Sequence, residues 1–181
     1  MISELLEKDH ESLGEILQDL ESVLRRNNID WAFELLDLFW ARLAVHIRAE
    51  NVCLFPAILN ASPALFEASP DLPSFAEAKT AIEKLRGDHN FFMERLGGAV
   101  KTIRELLGNP NPSSECDAAL KEIQKTIVAV AERLATHNRL EEEQVYRWPV
   151  AILSSAELKL LRDALKQEIE NLPQRFANLS M

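Results

Sequence analysis

Four histidines and two glutamates are the residues of this chain that could do chemistry together. His10, His46, His89 and His137 are the only histidines among its 181 residues. His46 and His137 each precede a glutamate by four positions, Glu50 and Glu141, in the stretches HIRAENVCLFP and HNRLEEEQVYRWP. Residues i and i+4 share a helix face, so each pair sets an imidazole beside a carboxylate. Every one of the four histidines also fills a slot in an apolar stripe: Leu6-His10-Leu13, Leu43-His46-Glu50-Leu54, Leu85-His89-Phe92 and Leu134-His137-Glu141-Val145. Burying six ionisable groups without partners would cost several kcal/mol each. A pair of metal ions offsets that cost, and imidazole with carboxylate suits iron, manganese or zinc. Two bridging carboxylates and four imidazoles give each of two metals two nitrogens and two oxygens. An octahedral iron would keep room for a solvent bridge and a small diatomic or water.

These side chains need helices to position them. The chain is rich in Leu, Ala, Glu, Lys and Arg, with only five glycines and eight prolines, and no alternating β pattern competes. A first helix is predicted over about residues 3–26 and a turn at Asn27-Asn28-Ile29-Asp30, with Asp30 as the cap of the next helix. A second, unbroken helix is expected from Trp31 to Leu59. Residues 60–74 form a proline-punctuated connection. Ser74 caps a third helix that runs to about Leu107, where Gly108-Asn109-Pro110-Asn111-Pro112 stops it. A fourth helix is expected from Ser114 to Trp148, ended by Pro149. Ser154-Ser155-Ala156-Glu157 has the capping-box pattern and opens a fifth, to about Asn171. The expected fold is all-α: an up-down-up-down four-helix bundle over residues 1–150, with a C-terminal helical extension over 151–181. That extension would lie across the end of the bundle or serve a dimer contact.

Antiparallel geometry then fixes height. Two residues are level when the turn lies midway between them. The midpoint of 10 and 46 is Asn28, and that of 89 and 137 is Ser113; that of 46 and 89 falls in the proline-rich connection. All four histidines are thus expected at one level, facing inward. Glu50 and Glu141 sit about 6 Å further along parallel helices.

Composition excludes other classes. A net charge of −9 argues against nucleic acid and against an anionic membrane surface. No apolar run is long enough to span a bilayer, and MISELLEKDH lacks the features of a signal peptide. Two cysteines make no disulfide framework, which suggests the cytoplasm. Cys116 begins the fourth helix about 30 Å from His137, so pairing with Cys53 is not expected. Cys53, three residues after Glu50 on nearly the same face, is a candidate thiol near the metals.

Other residues near the motif carry two readings. Asp9 and Asp88 precede histidines and could orient an imidazole; solvated positions on the helix flank are the plainer expectation. Glu142 and Glu143 are expected as surface charges, though either could substitute for Glu141. Tyr146, the only tyrosine, is expected to pack in the core, with a phenol beside the metals as the other reading.

An isolated His, then HxxxE, an isolated His, then HxxxE resembles the hemerythrin-like, HHE cation-binding domain, over about residues 3–150. The echo of KDHESL in GDHNFF and of one HxxxE stretch in the other, 91 residues on (137 − 46), resembles that family's duplicated helix pair. The resemblance implies two non-haem iron ions, oxo- or hydroxo-bridged, with Glu50 and Glu141 as bridges and the first and last two helices pairing their histidines. Oxygen-carrying hemerythrins resemble HxxxH on the third helix, whereas Met93 follows His89 here. The four-His, two-Glu set is instead similar to the di-iron proteins that repair iron centres, without their N-terminal cysteine pair. The expected function is a di-iron protein that binds or reacts with O2 or NO, in sensing, scavenging or iron-centre stress response, as monomer or homodimer. The alternative is storage or delivery of iron, zinc or manganese without redox chemistry.

Overall fold

Leucines at three- and four-residue intervals give four long amphipathic helices that can satisfy their apolar faces only against one another. The computed structural model describes residues 1–108 and 114–176, and no strand occurs among them. The long helices are α1 (Ile2–Arg25), α2 (Ile29–Ala49), α5 (Phe75–Gly108) and α6 (Ser114–Glu143). Short helices α3 (Phe55–Leu59) and α4 (Pro63–Glu67) fill the long connection, and α7 (Trp148–Ile152) and α8 (Ser155–Glu170) follow α6. The long helices close a ring: α1 packs on α2, α2 on α5, α5 on α6 and α6 on α1. Neighbours run antiparallel. His10 meets Glu142 while Gln124 reaches the Leu24 carbonyl. The expected all-α bundle with an added C-terminal helix is the observed architecture.

Local chemistry sets the ends. Asn28, not Asp30, caps α2: its Oδ1 accepts from the Trp31 amide at 3.1 Å. Asn27 takes a positive φ of 54° in the same turn, which asparagine tolerates better than most residues. Ser74 and Ser154 cap α5 and α8 as expected, each exchanging bonds with a glutamate three residues on. The turn at 109–112 lies outside the described residues.

Two helices expected to be continuous are broken, each about a turn and a half before a proline. After Ala49 the backbone widens into a π-helical segment, Glu50–Leu54, before α3. Pro56 has no N–H, and its ring would crowd the Val52 carbonyl in an α-helix. A wider turn, in which the Phe55 amide bonds the Glu50 carbonyl, is one way past that conflict. Likewise α6 ends at Glu143. Gln144 leaves helical geometry at φ −129°, ψ −71°, and Val145–Arg147 form a 3-10 turn ahead of Pro149.

The fifth long element, α8, packs along α2, the π segment and the start of α1. Arg48 pins it, with Nε 2.6 Å from Glu168 Oε2. Two apolar clusters make the core. One holds Leu13, Leu17, Leu43, Phe92 and Leu134; the other holds Leu6, Ala49, Leu54, Leu85 and Tyr146. A polar layer separates them. No helix among the described residues is long and apolar enough to cross a membrane.

Candidate metal centre

The separating layer is made of the six residues that the spacing singled out. His10 comes from α1, His46 from α2, His89 from α5 and His137 from α6; Glu50 opens the π segment and Glu141 lies near the end of α6. All six are buried, and both glutamates are 0% exposed. The level predicted from midpoints is the level observed. His10 Nε2 lies 3.0 Å from His46 Nε2, and His89 Nε2 lies 3.2 Å from His137 Nε2.

Each imidazole is gripped from behind at Nδ1. His46 donates to Asp9 Oδ2 at 2.8 Å and His137 to Asp88 Oδ2 at 3.3 Å. Both aspartates are buried and held in turn by an arginine: Arg42 to Asp9 at 2.7 Å, Arg133 to Asp88 at 2.6 Å. His10 Nδ1 meets Glu142 Oε1 at 2.7 Å. His89 Nδ1 faces the Asn51 amide at 3.2 Å. With Oδ1 turned toward the ring, that amide accepts the Nδ1 proton and its otherwise unpartnered oxygen is satisfied. A neutral histidine held this way keeps its proton on Nδ1 and offers the Nε2 lone pair, the tautomer a metal ligand needs.

These contacts correct three expectations. Asp9 and Asp88 are not solvated flank residues; each crosses to the histidine of the next helix. Glu142 is not only a surface charge, although Glu143 is exposed as expected. Tyr146 does more than pack: its O–H donates to Glu50 Oε1 at 2.6 Å and lies 3.0 Å from His10 Nε2. In a continuous α-helix, five residues turn the side-chain direction by about 140°, which would aim Tyr146 away from Glu141's side. The break at Gln144 re-aims it. Cys53 belongs elsewhere. Burial pushes its thiol up, and the charges acting on it are Glu168 and Arg48 beside α8. No disulfide joins Cys53 to Cys116.

The missed residues have a sequence signal, a register shared by the two halves. Arg42, His46, Glu50, Asn51 and Phe55 become Arg133, His137, Glu141, Glu142 and Tyr146 on adding 91. Asp9-His10 becomes Asp88-His89 on adding 79 (88 − 9). Equivalent positions do equivalent work. Phe55 stacks on His89 with centroids 5.7 Å apart, and Tyr146 lies 5.6 Å from His10.

The donor set fits a cation. Four Nε2 atoms converge from both sides. Glu50 Oε2 and Glu141 Oε1 are buried without a hydrogen-bond partner. They stand 3.2 Å from His89 Nε2 and 3.1 Å from His137 Nε2, acceptor facing acceptor. Two overlapping groups of four could each hold an ion: His10, His46, Glu50 and Glu141, and Glu50, His89, His137 and Glu141; within each, ligand atoms lie within 4.8 Å of one another.

Without metal, protons take up part of this strain. Burial pushes His10 down to about 3, helped by the charge on His46, and it also lowers His137. Burial opposes a charge on His46 too, but Glu50 and Asp9 outweigh it and hold its pKa well above the usual histidine value. Burial likewise opposes ionised Glu50, which His46 and His89 keep well below the carboxylate range. Glu141 is raised well above it, by burial and by the Glu50 charge. Burial and the two carboxylates keep the Tyr146 phenol protonated.

A model of the hemerythrin HHE cation binding domain matches residues 1–149. Searches of curated proteins and of solved structures return no significant match. With that match across most of its length and a buried layer of His and Glu that could hold metal ions, the chain belongs to the hemerythrin HHE cation-binding domain family.

Proposed function

We propose that this layer holds two non-haem iron ions and binds or reacts with a small diatomic, O2 or NO, in sensing, scavenging or iron-centre stress response. His10 and His46 would hold one ion and His89 and His137 the other, with Glu50 and Glu141 spanning both. The observation that carries this reading is the convergence of four Nε2 atoms on two buried carboxylates whose free oxygens have no hydrogen-bond partner. A ferrous pair would supply the electrons and the open coordination for a diatomic. The chain's own residues do the rest. Asp9, Asp88, Asn51 and Glu142 set the tautomers. The two apolar clusters exclude water. The Tyr146 hydroxyl, its oxygen 2.6 Å from Glu50 Oε1, holds a proton toward that carboxylate. The cysteines, not joined by a disulfide, fit a reducing cytoplasm.

Elemental analysis of the purified protein, followed by absorption spectra of the ferrous form under NO and then O2, tests the reading. About two iron atoms per chain and a near-ultraviolet band that responds to either gas are the expected results. Iron without any response to the gases would favour storage or delivery, and zinc or manganese would replace iron in the proposal. A chain that takes up none of these metals would end it.

Proton release gives a second check. In the metal-free centre the neighbouring carboxylates raise His46, and burial and the Glu50 charge raise Glu141, and ligands must be deprotonated. Metal binding is therefore expected to release protons, with affinity falling as pH falls. Calorimetry in buffers of different ionisation enthalpy measures the count; a count of zero contradicts the assignment.

A further inference from the structure

The centre's two halves match closely inside and differ outside. Four carboxylates gather on the outer side of His10: Glu142, which meets its Nδ1, and Glu7, Glu11 and Glu143, whose charges act on Glu142. Glu7 and Glu11 flank His10 on α1, three residues before it and one after; Glu142 and Glu143 come from the end of α6, which packs on α1. The register shared by the two halves places Arg86, Asn90, Asn51 and Val52 at the same positions around His89 (7 + 79, 11 + 79, 142 − 91, 143 − 91). Four carboxylates on one side thus correspond to one cation and three neutral residues on the other. Arg86 lies over the Phe55 ring, which itself covers His89.

The remaining two approaches are also guarded by cations. Arg42 stands behind Asp9 and His46, and Arg133 with Lys84 behind Asp88 and His137. Those partners are locked: Asp9 accepts from both Arg42 and His46, and Arg42 also bonds Ser12. Glu142 differs. Its side chain is 39% exposed and its carboxylate's one ion-pair partner among the described residues is His10. Arg147 bonds its backbone carbonyl rather than its carboxylate. None of Glu7, Glu11 and Glu143 forms an ion pair among the described residues.

We propose that divalent cations enter the buried centre along this α1/α6 edge, drawn by Glu7, Glu11 and Glu143 and handed inward past Glu142 and His10. The proposal rests on the metal reading above. Just inside His10 the route meets Glu141 Oε2, 3.5 Å from His10 Nε2; the two buried carboxylate oxygens without hydrogen-bond partners lie deeper, beside His89 and His137, where the route would end. A cluster of one sign beside a low-dielectric interior concentrates the opposite ion and raises its arrival rate. Opening here displaces one half-exposed side chain and one ring. Opening at His46 or His137 would break an Arg–Asp–His chain.

The test is stopped-flow uptake of ferrous iron under argon by metal-free protein, at low and high salt. The triple variant Glu7→Gln, Glu11→Gln, Glu143→Gln is compared with wild type and with Glu34→Gln, Glu94→Gln, Glu105→Gln. The second triple removes the same charge from exposed positions of α2 and α5. The edge variant is expected to load roughly tenfold more slowly at low salt, to lose that difference at high salt, and to reach the same final metal content. The control triple should load at close to the wild-type rate. Equal rates for wild type and edge variant overturn the entry route, and so does equal slowing by both triples, which would make net charge the cause. Wild type that never loads overturns the metal reading instead, and this result is distinct from the other two.

Discussion

On the two-iron reading proposed above, Glu50→Gln is expected to abolish metal binding at both groups of ligands. Glu50 is fully buried and belongs to both groups of four ligand atoms. Glutamine keeps the volume but removes the charge and turns an NH2 toward groups that need a cation or a proton. Metal content should fall from about two per chain to nearly none, whereas His10→Ala, which touches one group, should leave about one. Thermal denaturation gives an independent reading. Ligand at about a thousand times its Kd adds about 4 kcal/mol, or roughly 8–16 °C for a chain of this size. Wild type should show that gain with iron and Glu50→Gln should not. Two metals retained in Glu50→Gln would mean that this carboxylate does not span the pair.

Asp9→Ala is the second large effect, and it needs no metal. Asp9 is 7% exposed and accepts from Arg42 at 2.7 Å and His46 at 2.8 Å. Removing it leaves a buried imidazole and a guanidinium without their acceptor. Breaking such a pair costs about 3–5 kcal/mol, and because water can reach part of Arg42 the lower figure applies, about 3 kcal/mol. Urea denaturation of the metal-free protein measures it. Asp9→Asn, which can still accept from His46, should lose about 1–2 kcal/mol. The sign with pH follows from the carboxyl. Burial opposes its charge, but His46 and Arg42 outweigh burial and hold it below the ordinary value of 3.8. Its contribution is present above that pH and fades as pH falls through the lower folded value. The gap between wild type and Asp9→Ala should therefore close in acid. A loss under about 1 kcal/mol at pH 7 would show that solvent replaces Asp9 readily. In the loaded protein the same change should weaken metal binding about 10–100-fold.

Helical period and chain reversal were enough to bring the six side chains into one layer from sequence. Residues four apart share a face whatever surrounds the helix, so Glu50 had to accompany His46 and Glu141 His137. Midpoints near Asn28 and Ser113 levelled the histidines because an antiparallel pair rises and falls at one rate per residue. The four long helices followed from their leucine stripes, and the C-terminal helix from its Ser154 cap and Glu157.

The groups that tune the centre depend on contacts between elements. Asp9 lies next to His10 in sequence yet serves His46, because one residue of offset turns a side chain about 100° toward the neighbouring helix. Asn51 and Glu142 cross in the same way, from the residue after each glutamate to the isolated histidine of the other half. Tyr146 reaches Glu50 because α6 breaks at Gln144, and a pattern of apolar spacing does not record where a backbone leaves the α-helix. Pro56 and Pro149 mark both breaks, but proline says only that an α-helical bond is missing; packing chose a π turn at one and a 3-10 turn at the other. The sequence by itself determined which six side chains share a layer, since that needs only the helix repeat. Tertiary structure decided their tautomers, the aim of the phenol and which edge is acidic, since each depends on side chains from different helices meeting in space.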